Sequence, residues 1–294
     1  MEKTRTLGEV DWHSLLRSIK DGQCTPFLGA GACFGVLPLG AEIAQEWAEE
    51  YGYPLKDSRD LIRVAQFLAI ERDPIFTKEE ILERFFRDVA PPDFKEPDEP
   101  HRVLADLPLP IYMTTNYDDF MVEALKSWAK DPKRELCYWN EYLKDLRKDQ
   151  PSIFDSEPGF DPTPENPVVF HLHGHNEVPE SLVLTEDDYL EFLANASSDQ
   201  ALLPPRIRQA LATTTLLFVG YRLADWNFRV LFQRRQRMRY TKSILVLPPP
   251  EGQLSGEKVL AYLDRYYADM DIVVYWGTAR EFAAELRQRR EQSL

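Results

Sequence analysis

The sequence predicts an α/β protein, a Rossmann-like parallel sheet with helices on both faces and a small helical insertion. Three observations predict it. Short, β-branched or aromatic runs, almost free of charge, recur along the 294 residues, as strands buried on both faces require. Helix-like segments with capping residues lie between most of them. No internal repeat or low-complexity tract competes with that alternation.

Taken in order, Asp11 caps a predicted helix over 12–20, and the first strand is 25–28 (TPFL). Segments 41–51, 60–70 and 77–88 are helix-like with no strand between them. Residues 52–100 therefore read as a helical insertion within one domain spanning 1–294. A Pro-rich loop is expected at 91–110, because Pro lacks a ladder donor and stops helices. The second strand, 111–115 (IYMTT), leads into a helix that starts at Asp118 or Asp119 and reaches about Ala129. A second Pro-rich and acidic loop covers 151–167. Strands follow at 168–172, 215–219, 243–247 and 271–276. Asp225 starts a predicted helix through Arg239. Thr278 caps the last helix with Glu281 three residues on, a capping-box spacing.

Composition narrows the function classes. The chain is 44% hydrophobic and 29% charged, the profile of a globular protein, and its 13 glycines exclude a fibrous repeat. No run approaches about 18 apolar residues, so no transmembrane helix and no membrane partner are expected. MEKTRTLGEVDWH carries charges of both signs without an apolar core, so no signal peptide is expected and the location reads as cytoplasmic. Cys24, Cys33 and Cys137 form no CxxC pair and no even-numbered disulfide frame. With 35 basic against 49 acidic residues the net charge is −14, which argues against direct nucleic-acid binding by this chain alone.

In open parallel sheets, ligands bind at the carboxyl ends of the strands, and four strand endings here are unusual. In TPFLGAGACFG, Gly29, Ala30 and Gly31 let the backbone approach a diphosphate at a following helix start, or form a tight turn. In MTTNYDDF, Thr115, Asn116 and Asp118 either cap the next helix or face a ligand. The adjacent Asp118 and Asp119 have the means to divide those two tasks. In VVFHLHGHNE, His171, His173 and His175 share one face if all are strand, which suggests a metal. Gly174 is expected to end the strand, however, and no Cys or carboxylate cluster accompanies the histidines, so no metal is expected. His173 emerges where a catalytic base would, or is a hydrogen-bonded structural histidine. In TLLFVGYRLADWNFRVLF, Gly220 ends a strand, and Asp225 and Asn227 reach ribose hydroxyls or cap a helix.

The order GAG, TxNxD, His-Gly, Gly-Tyr-x-x-x-Asp-x-Asn resembles the sirtuin-like superfamily. It looks most like the bacterial branch that cleaves NAD in anti-phage defence, over roughly 20–290, including VVYWGTAREFAAEL near the end. The resemblance implies a Rossmann-like site with NAD as substrate. Gly29, Ala30 and Gly31 would line the phosphate loop, and Thr115 would lie against the nicotinamide ribose. Asn116 would order the reacting ribose and a water, Asp118 would hold the carboxamide, and His173 would be the catalytic histidine. Gly220 would approach the adenosine half, with Asp225 and Asn227 nearby.

The departures are informative. Sirtuin deacylases carry a zinc module with two CxxC pairs after the TxNxD region. Here Cys137 stands alone, and position 33 is Cys and position 115 Thr, where deacylases often have Ser and Gln. Water is then the expected acceptor and ADP-ribose the expected product. The alternatives are an NAD-dependent protein deacylase, an ADP-ribosyl transferase, or a non-catalytic NAD or ADP-ribose sensor. An NAD-consuming enzyme needs restraint, which points to a homo-oligomer or to an activating partner protein or domain. The insertion near 52–100 would cover the pocket. The basic run Arg229, Arg234, Arg235, Arg237, Arg239 and Lys242 would meet an acidic surface, or is a solvated helix face.

Overall fold

The structure is a computed structural model that describes residues 7–33, 35–198, 202–220, 242–249 and 257–293. Asp225, Asn227 and the basic run from Arg229 to Arg239 lie outside the described residues.

Helix α1 (Glu9–Lys20) leads to β1 (Cys24–Leu28), a short 3-10 turn (Ala30–Cys33) and α2 (Gly40–Tyr51), α3 (Leu61–Glu71), α4 (Pro74–Phe85) and α5 (Pro100–Ala105). Then come β2 (Ile111–Thr114), α6 (Phe120–Ser127), β3 (Lys133–Leu136), α7 (Glu141–Asp149), α8 (Ile153–Ser156) and β4 (Val168–His171). The chain continues through α9 (Glu186–Ser198), α10 (Pro205–Thr213), β5 (Thr215–Val219), β6 (Ser243–Leu247), α11 (Glu257–Ala268), β7 (Ile272–Trp276) and α12 (Ala279–Ser293). The strands form one sheet in the order β3-β4-β2-β1-β5-β6-β7, and every pairing is parallel.

Strand periodicity explains the layers. Leu28, Tyr112, Val169, Val219 and Val246 face one side, packed with Trp12 of α1, Leu104 of α5, Leu125 of α6 and Phe282 of α12. Their neighbours Phe27, Met113, Phe170, Phe218 and Leu245 face the other, packed with Leu143 of α7, Phe192 of α9 and Ile207 of α10. All six strands expected from apolar runs are present. The seventh, β3, reads KREL and pairs only with β4 at the sheet edge. An edge strand tolerates charge, so hydrophobicity did not mark it. Its Glu135 is buried and accepts from Ser152 Oγ and the Ile153 amide (2.5 and 2.7 Å).

Helix α5 corrects the loop expected at 91–110, and the four-residue α8 interrupts the one expected at 151–167. Pro100 opens α5, where a missing N–H costs nothing, and the Glu99 carboxylate accepts the Arg102 amide at 2.6 Å. The predicted last cap is present: Thr278 N–H donates to Glu281 Oε2 (2.7 Å), and Glu281 N–H to Thr278 Oγ1 (3.2 Å). Gly8, rather than Asp11, caps α1, and Asp11 accepts the Gly8 amide from the third helical position.

Helices α2, α3 and α4 pack Trp47, Val64, Leu68 and Ile81 onto Leu182 and Leu184, which follow β4. Lys78 of α4 pairs with Asp188 of α9 at 2.7 Å, both largely buried. Asp188 also accepts the amides of Leu184 and Thr185 (3.1 and 2.9 Å). The helical layer thereby grips the segment that follows the third strand ending. Among the described residues no helix is long and apolar enough to cross a membrane.

Candidate active site

Leu28, Thr114, His171 and Val219 stand in register across β1, β2, β4 and β5. The ladder runs one residue further, with Thr115 N–H donating to Leu28 O, Leu172 N–H to Thr114 O, and Gly29 N–H to Val219 O (3.0, 2.8 and 3.0 Å). The four unusual endings therefore leave the sheet side by side at its carboxyl edge, where β1 sits between β2 and β5.

The glycine turn is built for backbone contact. Gly31 N–H donates to Gly220 O at 2.9 Å. Gly220 has φ +70°, and a Cβ there would fall 2.1 Å from Ala32 N. The amides of Gly29, Gly31 and Ala32 are all used inside the protein. Of the three loop residues singled out, Ala30 is the exposed one. The segment that follows is a four-residue 3-10 turn rather than the expected helix start.

Asn116 is buried and pinned. Its amide donates to Thr114 Oγ1 at 2.9 Å, and its carbonyl faces His171 Nδ1 at 3.3 Å. Its Nδ2 donates to Gly29 O and to Cys33 Sγ, both at 3.2 Å. Only Oδ1 is left for a ligand among these groups. Half-buried Thr115 turns its hydroxyl back to Leu28 O at 3.4 Å. The adjacent acids do not divide capping and ligand contact between them, because both fall to Asp118. Asp118 Oδ1 accepts the Phe120 amide at 3.0 Å and so caps α6, while Oδ2 receives the Cys33 thiol at 3.5 Å. Burial raises the Asp118 carboxyl above its ordinary range. Asp119 turns away, to Arg134 Nη1 (2.7 Å) and His175 Nε2 (3.1 Å). Burial alone would raise its pKa, but the His175 and Arg134 contacts outweigh it and bring it to about 2.

The histidines do not share one face. Strand β4 ends at His171, earlier than Gly174. His171 and His175 meet edge to face at 4.8 Å beside Asp119. His173 instead packs between the rings of Tyr189 and Phe192 on α9 (5.5 and 5.3 Å). Its carbonyl accepts the Val183 amide at 2.9 Å, and its buried Nε2 has no partner among the described residues. Burial lowers its pKa to about 3, so the ring is neutral at pH 7. Gly174 closes the turn with φ +96°, where a Cβ would meet Ser181 O at 2.2 Å. The structure thus gathers Gly29, Gly31, Asn116, Asp118 and Gly220 through direct contacts. His173 stands on the neighbouring strand ending without touching Asn116, and no described contact joins their side chains.

Sequence reasoning missed the groups behind Asn116 and Asp118. Buried His101 presents Nε2 to Cys33 Sγ at 3.8 Å and donates from Nδ1 to Glu99 Oε1 at 2.7 Å. Burial works against the Glu99 charge, yet His101 and the Arg102 amide hold its carboxyl below the ordinary range. The signal for them was the acid-proline-histidine start of α5, Glu99-Pro100-His101, hidden within a Pro-rich stretch.

A family model described as a SIR2-like domain matches residues 110–270. The NAD(+) hydrolase ThsA of Enterococcus faecium is 27% identical over 224 residues, 76% of this chain and 42% of that protein. The NAD(+) hydrolase ThsA of Bacillus cereus (strain MSX-D12) is 26% identical over 251 residues, 81% of this chain and 46% of that protein. The chain spans less than half the length of these curated relatives. A solved Sir2 homologue aligns over 98% of each chain at 14% identity with a TM-score of 0.48.

Proposed function

This chain belongs to the SIR2-like domain family, and on that premise we propose that it cleaves NAD to nicotinamide and ADP-ribose with water as acceptor, as an effector of anti-phage defence. The observation that carries the reading is Asn116. It is buried, held by Thr114, His171, Gly29 and Cys33, and keeps Oδ1 for a hydroxyl or a water. The likeness to proteins named NAD(+) hydrolase supports the same chemistry.

Nicotinamide leaves as a neutral ring from a cationic one, so the leaving group needs no general acid. The bond to ribose breaks with its electron pair going to the ring, through an oxocarbenium-like state. The protein's tasks are to hold the two halves of the substrate, to steady positive charge at the sugar and to direct water. Asn116 Oδ1 orients the hydroxyl or water, and the partly desolvated Asp118 Oδ2 accepts from the carboxamide. Neutral His173 is the base in this reading, and to take a proton from a ribose hydroxyl or from the water its ring must first turn out from between Tyr189 and Phe192. The Gly31–Gly220 contact holds the turn on which the phosphates lie, with Ala30 turned outward. The cleavage draws on no metal.

Within this reading the domain is a single SIR2-like unit with a helical insertion at about 52–100, acting in the cytoplasm. Restraint comes from assembly into a homo-oligomer or from an activating partner protein or domain. Incubation with NAD, with and without acylated peptide, tests the proposal by nicotinamide release. Peptide-independent release is expected. Release that needs the peptide would make the protein a deacylase, and tight binding without release would make it a sensor. The oligomeric state is measured in the same samples.

A further inference from the structure

The group behind Asn116 has a composition that nucleotide binding does not require. Cys33 Sγ, His101 Nε2 and Asp118 Oδ2 lie within 4.8 Å of one another, and all three residues are buried. The sulfur is 3.8 Å from the imidazole nitrogen and 3.5 Å from the carboxylate oxygen. Tetrahedral zinc with ordinary bond lengths sets such ligand atoms about 3.4–3.6 Å apart. His101 is also prepared as a ligand. Its Nδ1–H donates to Glu99 Oε1 at 2.7 Å, which leaves the Nε2 lone pair directed at the thiol. A carboxylate behind the ring is the arrangement that orients metal-bound histidine.

We propose that Cys33, His101 and Asp118 form an inhibitory site for a zinc-class divalent cation, backed by Glu99. The Cys33 thiol proton leaves to solvent as the metal takes the thiolate. The thiolate and the Asp118 carboxylate then neutralise the ion. The cation occupies the Asp118 oxygen assigned above to the carboxamide and engages the sulfur that holds Asn116 Nδ2. Metal and NAD therefore exclude one another. This inhibition, though not the metal site itself, rests on the proposed NAD cleavage.

A second group, Asp119, His171 and His175, is equally compact but already holds a cation. Arg134 Nη1 lies 2.7 Å from Asp119 and 3.1 Å from His175 Nε2. His175 Nδ1 also accepts the Glu177 amide at 3.1 Å, which leaves the proton on the nitrogen that would have to bind metal.

The test uses the full chain after chelator treatment. Titration with Co2+ alone is expected to give a near-ultraviolet thiolate-to-cobalt band that saturates at one equivalent. The band is expected to vanish in Cys33→Ser, and Co2+ affinity to fall at least tenfold in His101→Gln and roughly 10–100-fold in Glu99→Gln. NAD is expected to bleach the band. Zn2+ is expected to inhibit nicotinamide release, with at least tenfold more required in Cys33→Ser, each variant scaled to its own metal-free rate. Absence of the band overturns the site, as does a band that survives Cys33→Ser or keeps its affinity in both other variants. A band indifferent to NAD, or Zn2+ without effect on release, overturns the inhibition. If the protein does not cleave NAD at all, the cobalt spectra still decide the site.

Discussion

Asn116 spends its amide, its carbonyl and its Nδ2 on the protein and keeps one oxygen back. Asn116→Ala removes that oxygen while sacrificing hydrogen bonds worth about 1 kcal/mol each. It is expected to cut nicotinamide release at least about 100-fold, with the thermal midpoint lowered by only a few degrees. His173→Ala is expected to cost about 10²–10⁴-fold, the range of a lost acid-base group. Equal turnover in either variant removes that residue from the mechanism. The buried histidines also leave a mark on stability. Burial lowers His171 and His173 from 6.5 to about 3. Between those values the unfolded chain binds protons that the folded chain refuses, so stability falls as pH falls. Each histidine contributes at most about 1.4 kcal/mol per pH unit. Urea midpoints at pH 7 and pH 5 measure the loss, and His173→Gln is expected to shrink it. An unchanged difference would deny that burial. At this scale Asn116, Asp118 and the glycines were legible, because short polar motifs at strand ends announce themselves. Glu99, His101 and Cys33 were not, since 68 residues separate the thiol from its imidazole partner and only folding brings them together.

Among the elements, the strands buried on both faces were readable for a simple reason: mostly apolar side chains face two helical layers at once. The charged edge strand β3 and the proline-led α5 escaped because each departs from that rule with a local justification. The turns that end the strands are less forgiving than the strands. Gly220→Ala forces a side chain into a φ of +70° and onto Ala32. It is expected to destabilise the fold by about 2 kcal/mol or more, read as a lower denaturant midpoint. The helical layer is tied to α9 by the Lys78–Asp188 pair. Lys78→Met strips Asp188 of its ammonium partner and is expected to cost about 3 kcal/mol. Lys78→Arg is expected to restore part of it. The three histidines illustrate the limit of periodicity. Alternation was sound as far as His171, and a turn pinned at Gly174 then sent His173 to the opposite layer.

For the whole molecule, alternation of strand and helix made the parallel sheet legible, but strand order was not, because it depends on which crossovers pack best rather than on any local signal. That order puts β1 at the centre, flanked by β2 on one side and β5 on the other. The Gly31–Gly220 contact joins two turns that leave the ribosome 189 residues apart. A nascent chain that stops before β5 has no neighbour for the glycine turn. Under the proposed NAD cleavage, a partly made chain stays inert until β5 and the turn at Gly220 have left the ribosome.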